Sequence, residues 1–276
     1  MIKKRLGITV FYVFVLLWAA VSLFPFYWMF VMASRTSAEF FRYPPIMIPG
    51  GMLIANAKSL LTVIDFFQSL LNTFTVAVIK TAAALFFCSM AAFYFAKFKF
   101  PGRNFLFTFI LMTMMIPTQL LMIPQLIIMG KLGWISTLKA LIIPTLIPAF
   151  GIFWMTQYSQ GAIHEDLLNA GRIDGCGTFR LFWSIGFPIM IPGLAFLAIH
   201  TFMTVWNDFL WPLIVLNDQK VFTVQVALGQ LQGMHTKTDY GAVMCGAFLA
   251  TLPILMVFLI CNRFFISGIA AGAVKS

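Results

Sequence analysis

Along this chain long apolar runs alternate with short polar ones, and the runs have the length of membrane spans rather than of core helices in a soluble domain. The first carries no charged residue from Leu6 to Ala33 and follows the basic start MIKKR. It is too long for a signal-peptide core and has no small-residue cleavage site, so it is expected to be an uncleaved first span behind a basic tail. Further spans are predicted over residues 72–95, 104–129, 139–154, from about 189 to 208, and 241–265. Residues 34–68 read as an external loop, because Tyr43-Pro44-Pro45 and Pro49-Gly50-Gly51 break regular structure, with a short amphipathic helix over about 64–71. Residues 96–103 form a basic turn, residues 130–138 and 217–240 form external connections, and a short tail occupies about 264–276. The expectation is an all-α membrane protein of six transmembrane helices, forming one transmembrane domain over residues 1–276.

One segment cannot sit in hydrocarbon. Residues 161–192 hold Glu165, Asp166, Arg172, Asp174 and Arg180 close together in a chain that is only 9% charged, and ionised groups are costly within a bilayer. Glu165 and Asp166 fall where a first helical turn favours acids, and Leu167, Leu168, Ala170 and Gly171 form an apolar, small-residue stripe. Gly175 and Gly177 punctuate the chain, Thr178 is placed to cap a second short helix, and Pro188 and Pro192 mark entry into the next span. The segment reads as two short helices joined by a tight turn and exposed for docking.

Composition narrows the field. Apolar residues make up 61% of the 276, well above the share of a soluble domain. No Gly-rich loop with Lys-Ser/Thr is present, so ATP and Mg2+ are not expected on this chain. Despite a net charge of +10, the basic residues are dispersed over short loops without an Arg-rich run, which excludes nucleic acid as the expected partner. Cys88, Cys176, Cys245 and Cys261 have neither metal-ligand nor disulfide spacing. His164, His200 and His235 are isolated, and with no paired carboxylates or activated nucleophile an enzyme is not expected.

The polar segment resembles the cytoplasmic loop of permease subunits of bacterial ABC importers. That pattern is Glu-Ala-Ala, three residues, Gly, nine residues, Ile, any residue, Leu-Pro. Here it falls on Asn169-Ala170-Gly171, then Gly175, then Ile185-Gly186-Phe187-Pro188, with both spacings kept. Asn169 replaces the acid, Gly171 the second alanine and Phe187 the leucine, while Glu165 and Asp166 retain negative charge one turn earlier. Met115 to Gln119, Leu132 to Thr137, Trp206 to Leu213 and the final Gly268 to Lys275 extend the resemblance to the maltose-type carbohydrate permeases. It implies a coupling loop over about 161–188, between spans four and five, that engages a separate ATPase through Glu165, Asp166, Asn169, Ala170, Gly171, Asp174, Gly175, Ile185 and Pro188. It also implies a second homologous permease, two cytoplasmic ATPases, an external sugar-binding protein and a tail that contacts the ATPases.

Polar groups inside the spans are the candidates for a translocation path. Gln119 and Gln125 accompany Pro117 and Pro124 in the third span, where prolines free backbone carbonyls and amides seek partners. For each Gln alone, polar glue between helices explains the residue equally well. Trp206, Asn207 and Asp208 combine an aromatic face with an amide and a carboxylate, as a sugar site would, although an interfacial aromatic belt accounts for the same residues. Lys80 lies toward the outer end of the second span, where snorkelling is expected. Ten Lys and Arg fall on the side of the polar segment and seven on the other, so the positive-inside rule puts that segment and both termini in the cytoplasm of a bacterial inner membrane protein. The alternative is an autonomous channel or facilitator for small polar solutes, which needs broken helices but no coupling loop.

Overall fold

The computed structural model describes residues 2–233 and 238–273, with side chains over residues 7–232 and 238–260. Helices and turns make up the described chain, with no strand among those residues. Among the described residues four helices are long and apolar enough to cross a membrane, and a fifth span arises if one pair bent by 90° counts as a single crossing. The chain divides into two compact units, Met1–Phe66 with Ala227–Pro253, and Phe67–Val226 with Ile254–Ser276.

In the first unit, α1 (Ile2–Ala33) exposes its side chains from Gly7 to Tyr27 and buries only its last turn. An all-round apolar helix without a protein face is suited to lipid. Val31, Met32, Ala33 and Ser34 pack inward, and Asn56 of α2 (Leu53–Val63) donates from Nδ2 to the carbonyls of Ala33 and Arg35, both at 2.8 Å. The amphipathic helix of the external loop is therefore α2, not residues 64–71. The latter belong to the first turns of the next helix, because Ile64 is extended and helix restarts at Phe66.

The second unit is built on α3 (Phe66–Lys97), whose 32 residues extend about 48 Å, well beyond a hydrocarbon core of about 30 Å. Pro101 and Gly102 at φ +78 end it and start α4 (Arg103–Thr113). Pro117 breaks the third expected span, whereas Pro124 falls in the first turn of α5 (Met122–Lys131), where a missing N–H costs nothing. The result is the 90° bend between α4 and α5.

The fourth expected span does not form one helix. Residues 139–154 give α6 (Lys139–Ile142), a break through Pro144 and Pro148, and then α7 (Ala149–Ala162), too short to cross unaided. The fifth begins earlier than expected. After α8 (Glu165–Ile173), a turn leads to α9 (Thr178–Leu181), a π turn over Phe182–Gly186 and α10 (Phe187–Trp206), and residues 178–206 form one apolar crossing. Pro188 offers no N–H to the carbonyl one turn before it, and the wider π winding absorbs that loss. Gly177, not Thr178, occupies the N-cap position, and it makes no side-chain cap.

Two shorter helices follow, α11 (Leu210–Val215) and α12 (Val224–Gly233), before α13 (Tyr240–Ala273). A tail was expected from residue 264, but the backbone stays helical to Ala273; residues 274–276, with His235 and Lys237, lie outside the described residues. At the start of α13, the Asp239 carboxylate accepts from Ser37 and Ser59 hydroxyls at 2.8 Å and from the backbone of Gly241 and Ala242. Burial would push this carboxyl up, but those four donors outweigh it and hold it below its usual range. A carboxylate at a helix N-terminus is thereby kept charged, and it pins the first unit's loop and α2 to α13.

Candidate functional site

Helix α8 is nine residues long, too short to be stable alone, and its geometry shows how it is held. Ile163, just before the N-cap, and Leu168, four residues into the helix, are both buried in one cluster, the arrangement of a hydrophobic staple. At the other end Gly175 takes φ +77, its N–H donates to Arg172 O at 3.0 Å and the Cys176 N–H to Gly171 O at 2.9 Å. These two bonds satisfy carbonyls that the helix end would leave unpaired, in a Schellman motif. The expected glycine turn therefore forms at Gly175.

The stripe read from the sequence divides between two faces. Leu168 and Gly171 turn inward; a Cβ on Gly171 would stand 2.6 Å from a methyl of Leu181 and 2.9 Å from one of Ile185. Glu165, Asp166, Leu167, Asn169, Ala170, Arg172, Ile173 and Asp174 face outward, with Ile173 at 87% exposure. Leu167, Ala170 and Ile173 follow one another at helical spacing, forming an apolar ridge flanked by acids. Ile185 is half-buried beneath the helix, and Pro188 is exposed at the start of α10.

Asn169, standing where the resemblance expects an acid, accepts from Arg172 Nη1 at 2.8 Å. The Arg172 guanidinium also lies 5.6 Å from the ring centre of Phe98, at the end of α3. Phe98 packs on Phe93, Phe93 on Phe182 of the π turn, and Phe182 on Phe187 of α10, with ring centres 5.6 to 5.9 Å apart. A Cβ on Gly186 would stand 2.7 Å from the Phe93 ring, so the π turn lies flush against α3. Gly186 lies in the spaced pattern and Phe98 in the basic turn, but Phe93 was not singled out in the sequence; its signal is long-range packing, which no local pattern carries.

The second group of expected residues is only partly assembled. Trp206 is fully buried and stacked on Phe202 at 5.3 Å, and Trp211 donates its indole N–H to Ala140 O at 3.0 Å. Both indoles are structural, so the sugar-stacking face expected of Trp206 is occupied by its own chain. Asn207 is exposed and donates to Met203 O, whereas Asp208 is half-buried and accepts from the backbone N–H of Trp211. Gln125 lies on α5, which packs against α11 just beyond this turn; Gln119 is exposed within the 90° bend.

The Lys80 head is held by protein acceptors. Its ammonium donates to Leu141 O and to Thr145 Oγ1, both at 2.9 Å. Thr145 sits at φ +63, a region that a β-branched residue rarely adopts.

Residues 84–270 match the family described as binding-protein-dependent transport system inner membrane component. An arabinooligosaccharides transport system permease protein of Halalkalibacterium halodurans is 32% identical over 260 residues, covering 93% of this chain and 92% of that protein. A lactose transport system permease protein of Rhizobium radiobacter is 34% identical over 274 residues, covering 99% and 98%. An sn-glycerol-3-phosphate transport system permease protein of Yersinia pestis is 29% identical over 277 residues, covering 98% of each. Among solved structures, a chain from a bacterial ABC transporter involved in the import of the acidic polysaccharide alginate superposes with a TM-score of 0.80 over 95% of this chain and 98% of that one. At 21% identity, that likeness establishes the fold alone.

Proposed function

This chain belongs to the family of binding-protein-dependent transport system inner membrane components, and on that premise we propose that it is a transmembrane subunit of an ATP-driven sugar importer. Two of the relatives described above are named for carbohydrates and the third for a phosphorylated polyol, which supports a polyhydroxylated solute. In this reading residues 1–276 act as one permease domain of six crossings, the shortfall at residues 139–162 being made up within the assembled transporter. The chain pairs with a second homologous permease, receives solute from an extracytoplasmic binding protein, and is driven by two cytoplasmic ATPases that carry the ATP and Mg2+. Both termini and α8 lie in the cytoplasm.

The observation that carries the coupling role is the outward ridge of α8 on a helix locked at both ends. Leu167, Ala170 and Ile173 are exposed although apolar, as a docking surface requires. Gly171, Arg172 and the Schellman turn make the helix rigid with respect to α9, the π turn and α3. When the ATPases close on ATP, a push on α8 reaches α10 and α3 through Phe98, Phe93 and Phe182. Asn207 and Asp208, at the end of α10, and the amides Gln119 and Gln125 line the path, with Trp206 as its packed wall. The deciding experiment tags the full chain, solubilises it gently and identifies what copurifies. A second permease and an ATPase in near-equal amounts are expected; a self-contained oligomer without an ATPase would favour a channel and overturn the importer.

A further inference from the structure

Lys80 on α3 and Asp208 after α10 both line one small cavity. An ammonium has three N–H donors, and Lys80 uses two of them on Leu141 O and Thr145 Oγ1. The carboxylate of Asp208 lies beyond the 4.0 Å of a direct ion pair with it. Between them is a cavity of about 10 Å3, lined also by Val76, Val205, Pro212 and Thr223. Thr223 lines this cavity, and its buried hydroxyl has no hydrogen-bond partner among the described residues.

An opening of this size admits one probe sphere, the minimum for a single water, and cavities that stay dry are lined by apolar groups alone. This one holds a cation, an anion and an unpaired hydroxyl. We propose that it is the seat of one bound water molecule, which accepts the third N–H of Lys80, donates to the Asp208 carboxylate and pairs with Thr223 Oγ1. Three bonds are typical of a buried water. The water closes an indirect charge pair and satisfies the orphan hydroxyl, joining α3 to the turn at residues 207–209 and to the segment leading into α12. Without it a half-buried ammonium and carboxylate would line the same cavity with no bond between them. The water site shares Asp208 with the proposed path, but its test reads stability and an ordered water and not transport, so the two readings fail separately.

The test compares thermal unfolding of the complete assembly in detergent for the natural chain, Thr223→Val, Lys80→Met and the double variant. With a bound water, Thr223→Val strands one of its bonds, and the midpoint falls by roughly 2–4 °C. In a dry cavity the same change exchanges an unsatisfied hydroxyl for an isosteric methyl, leaving the midpoint unchanged or higher. Lys80 and Thr223 line the same cavity, so non-additivity in the double variant is expected with or without a water, and the sign of the Thr223→Val shift is the reading that decides. Should Lys80→Met prevent assembly, the sign of the Thr223→Val shift decides by itself. A density map of the assembly resolving ordered waters is the direct check: a peak within hydrogen-bond distance of all three groups is expected, and an empty cavity overturns the site.

Discussion

Gly175 offers a way to separate the folding of the coupling segment from its docking. Its φ of +77 lies in the left-handed region, and a Cβ built there meets no atom within 4 Å. Alanine and tryptophan at this position therefore bear about the same local strain, about 1–2 kcal/mol, because the cost comes from the backbone and not from the size of the side chain. Asparagine, which tolerates this region better than other L residues, should lose less. The Schellman bonds from Gly175 and Cys176 stay in place so long as the turn keeps its shape. On folding grounds alone, Gly175→Ala and Gly175→Trp should be nearly equivalent, both leaving the protein inserted and assembled.

Docking breaks that equivalence. If the turn after α8 enters a cleft on an ATPase, a methyl group fits where an indole does not. The measurements are the melting midpoint of the purified complex, uptake of labelled sugar per folded complex, and ATP hydrolysis. We expect similar midpoints for the two variants, near-natural uptake for Gly175→Ala, and a loss of about tenfold or more for Gly175→Trp, equivalent to about 1.4 kcal/mol of coupling energy. Equal uptake per folded complex by the alanine and tryptophan variants would refute the docking of this turn, whatever their stabilities.

Two further outcomes follow from the same geometry. Gly186→Ala places a methyl 2.7 Å from the buried Phe93 ring, and overpacking of this kind costs about 1–3 kcal/mol; midpoint and uptake should both fall, and an unchanged midpoint would mean that the π turn is looser than its packing implies. Alanine at Asn207 and Asp208 together should lower uptake more than it lowers the midpoint if these residues line the path, whereas unchanged uptake per folded complex would leave them as helix-end residues only.

Much of the fold was legible because lipid imposes simple rules. Uninterrupted apolar runs located α1, α3 and α13, although α3 starts six residues before the expected 72 and α13 runs eight residues past the expected 265, and the charge-rich segment marked the helix that could not be buried in hydrocarbon. Prolines gave mixed service. Pro117 and Pro124 looked equivalent, but only Pro117 breaks the chain, since the cost of proline depends on whether its missing N–H was needed. The sequence pattern puts the entrance to a span at Pro188, whereas the helix absorbs this proline with a π turn and begins at Thr178.

The site was legible in its spacing and not in its facing. Positions 169, 171, 175, 185 and 188 could be picked from a linear pattern, yet that pattern does not say that Gly171 touches Ile185 while Ala170 faces away from the core. Conversely, Trp206, Asn207 and Asp208 are adjacent in sequence and look like one recognition unit, but a helix end sends them in different directions: the indole into the core, the amide outward, and the carboxylate toward Lys80. The partners of Lys80, namely Leu141, Thr145 and Asp208, are 61, 65 and 128 residues away, the last by subtracting 80 from 208. A lone lysine in an apolar run is ambiguous until such distant neighbours are known. Once they are, its charge is accounted for inside the protein and it has no need to reach the membrane surface, which is why the cavity beside it, and not the lysine itself, is the feature that calls for a ligand.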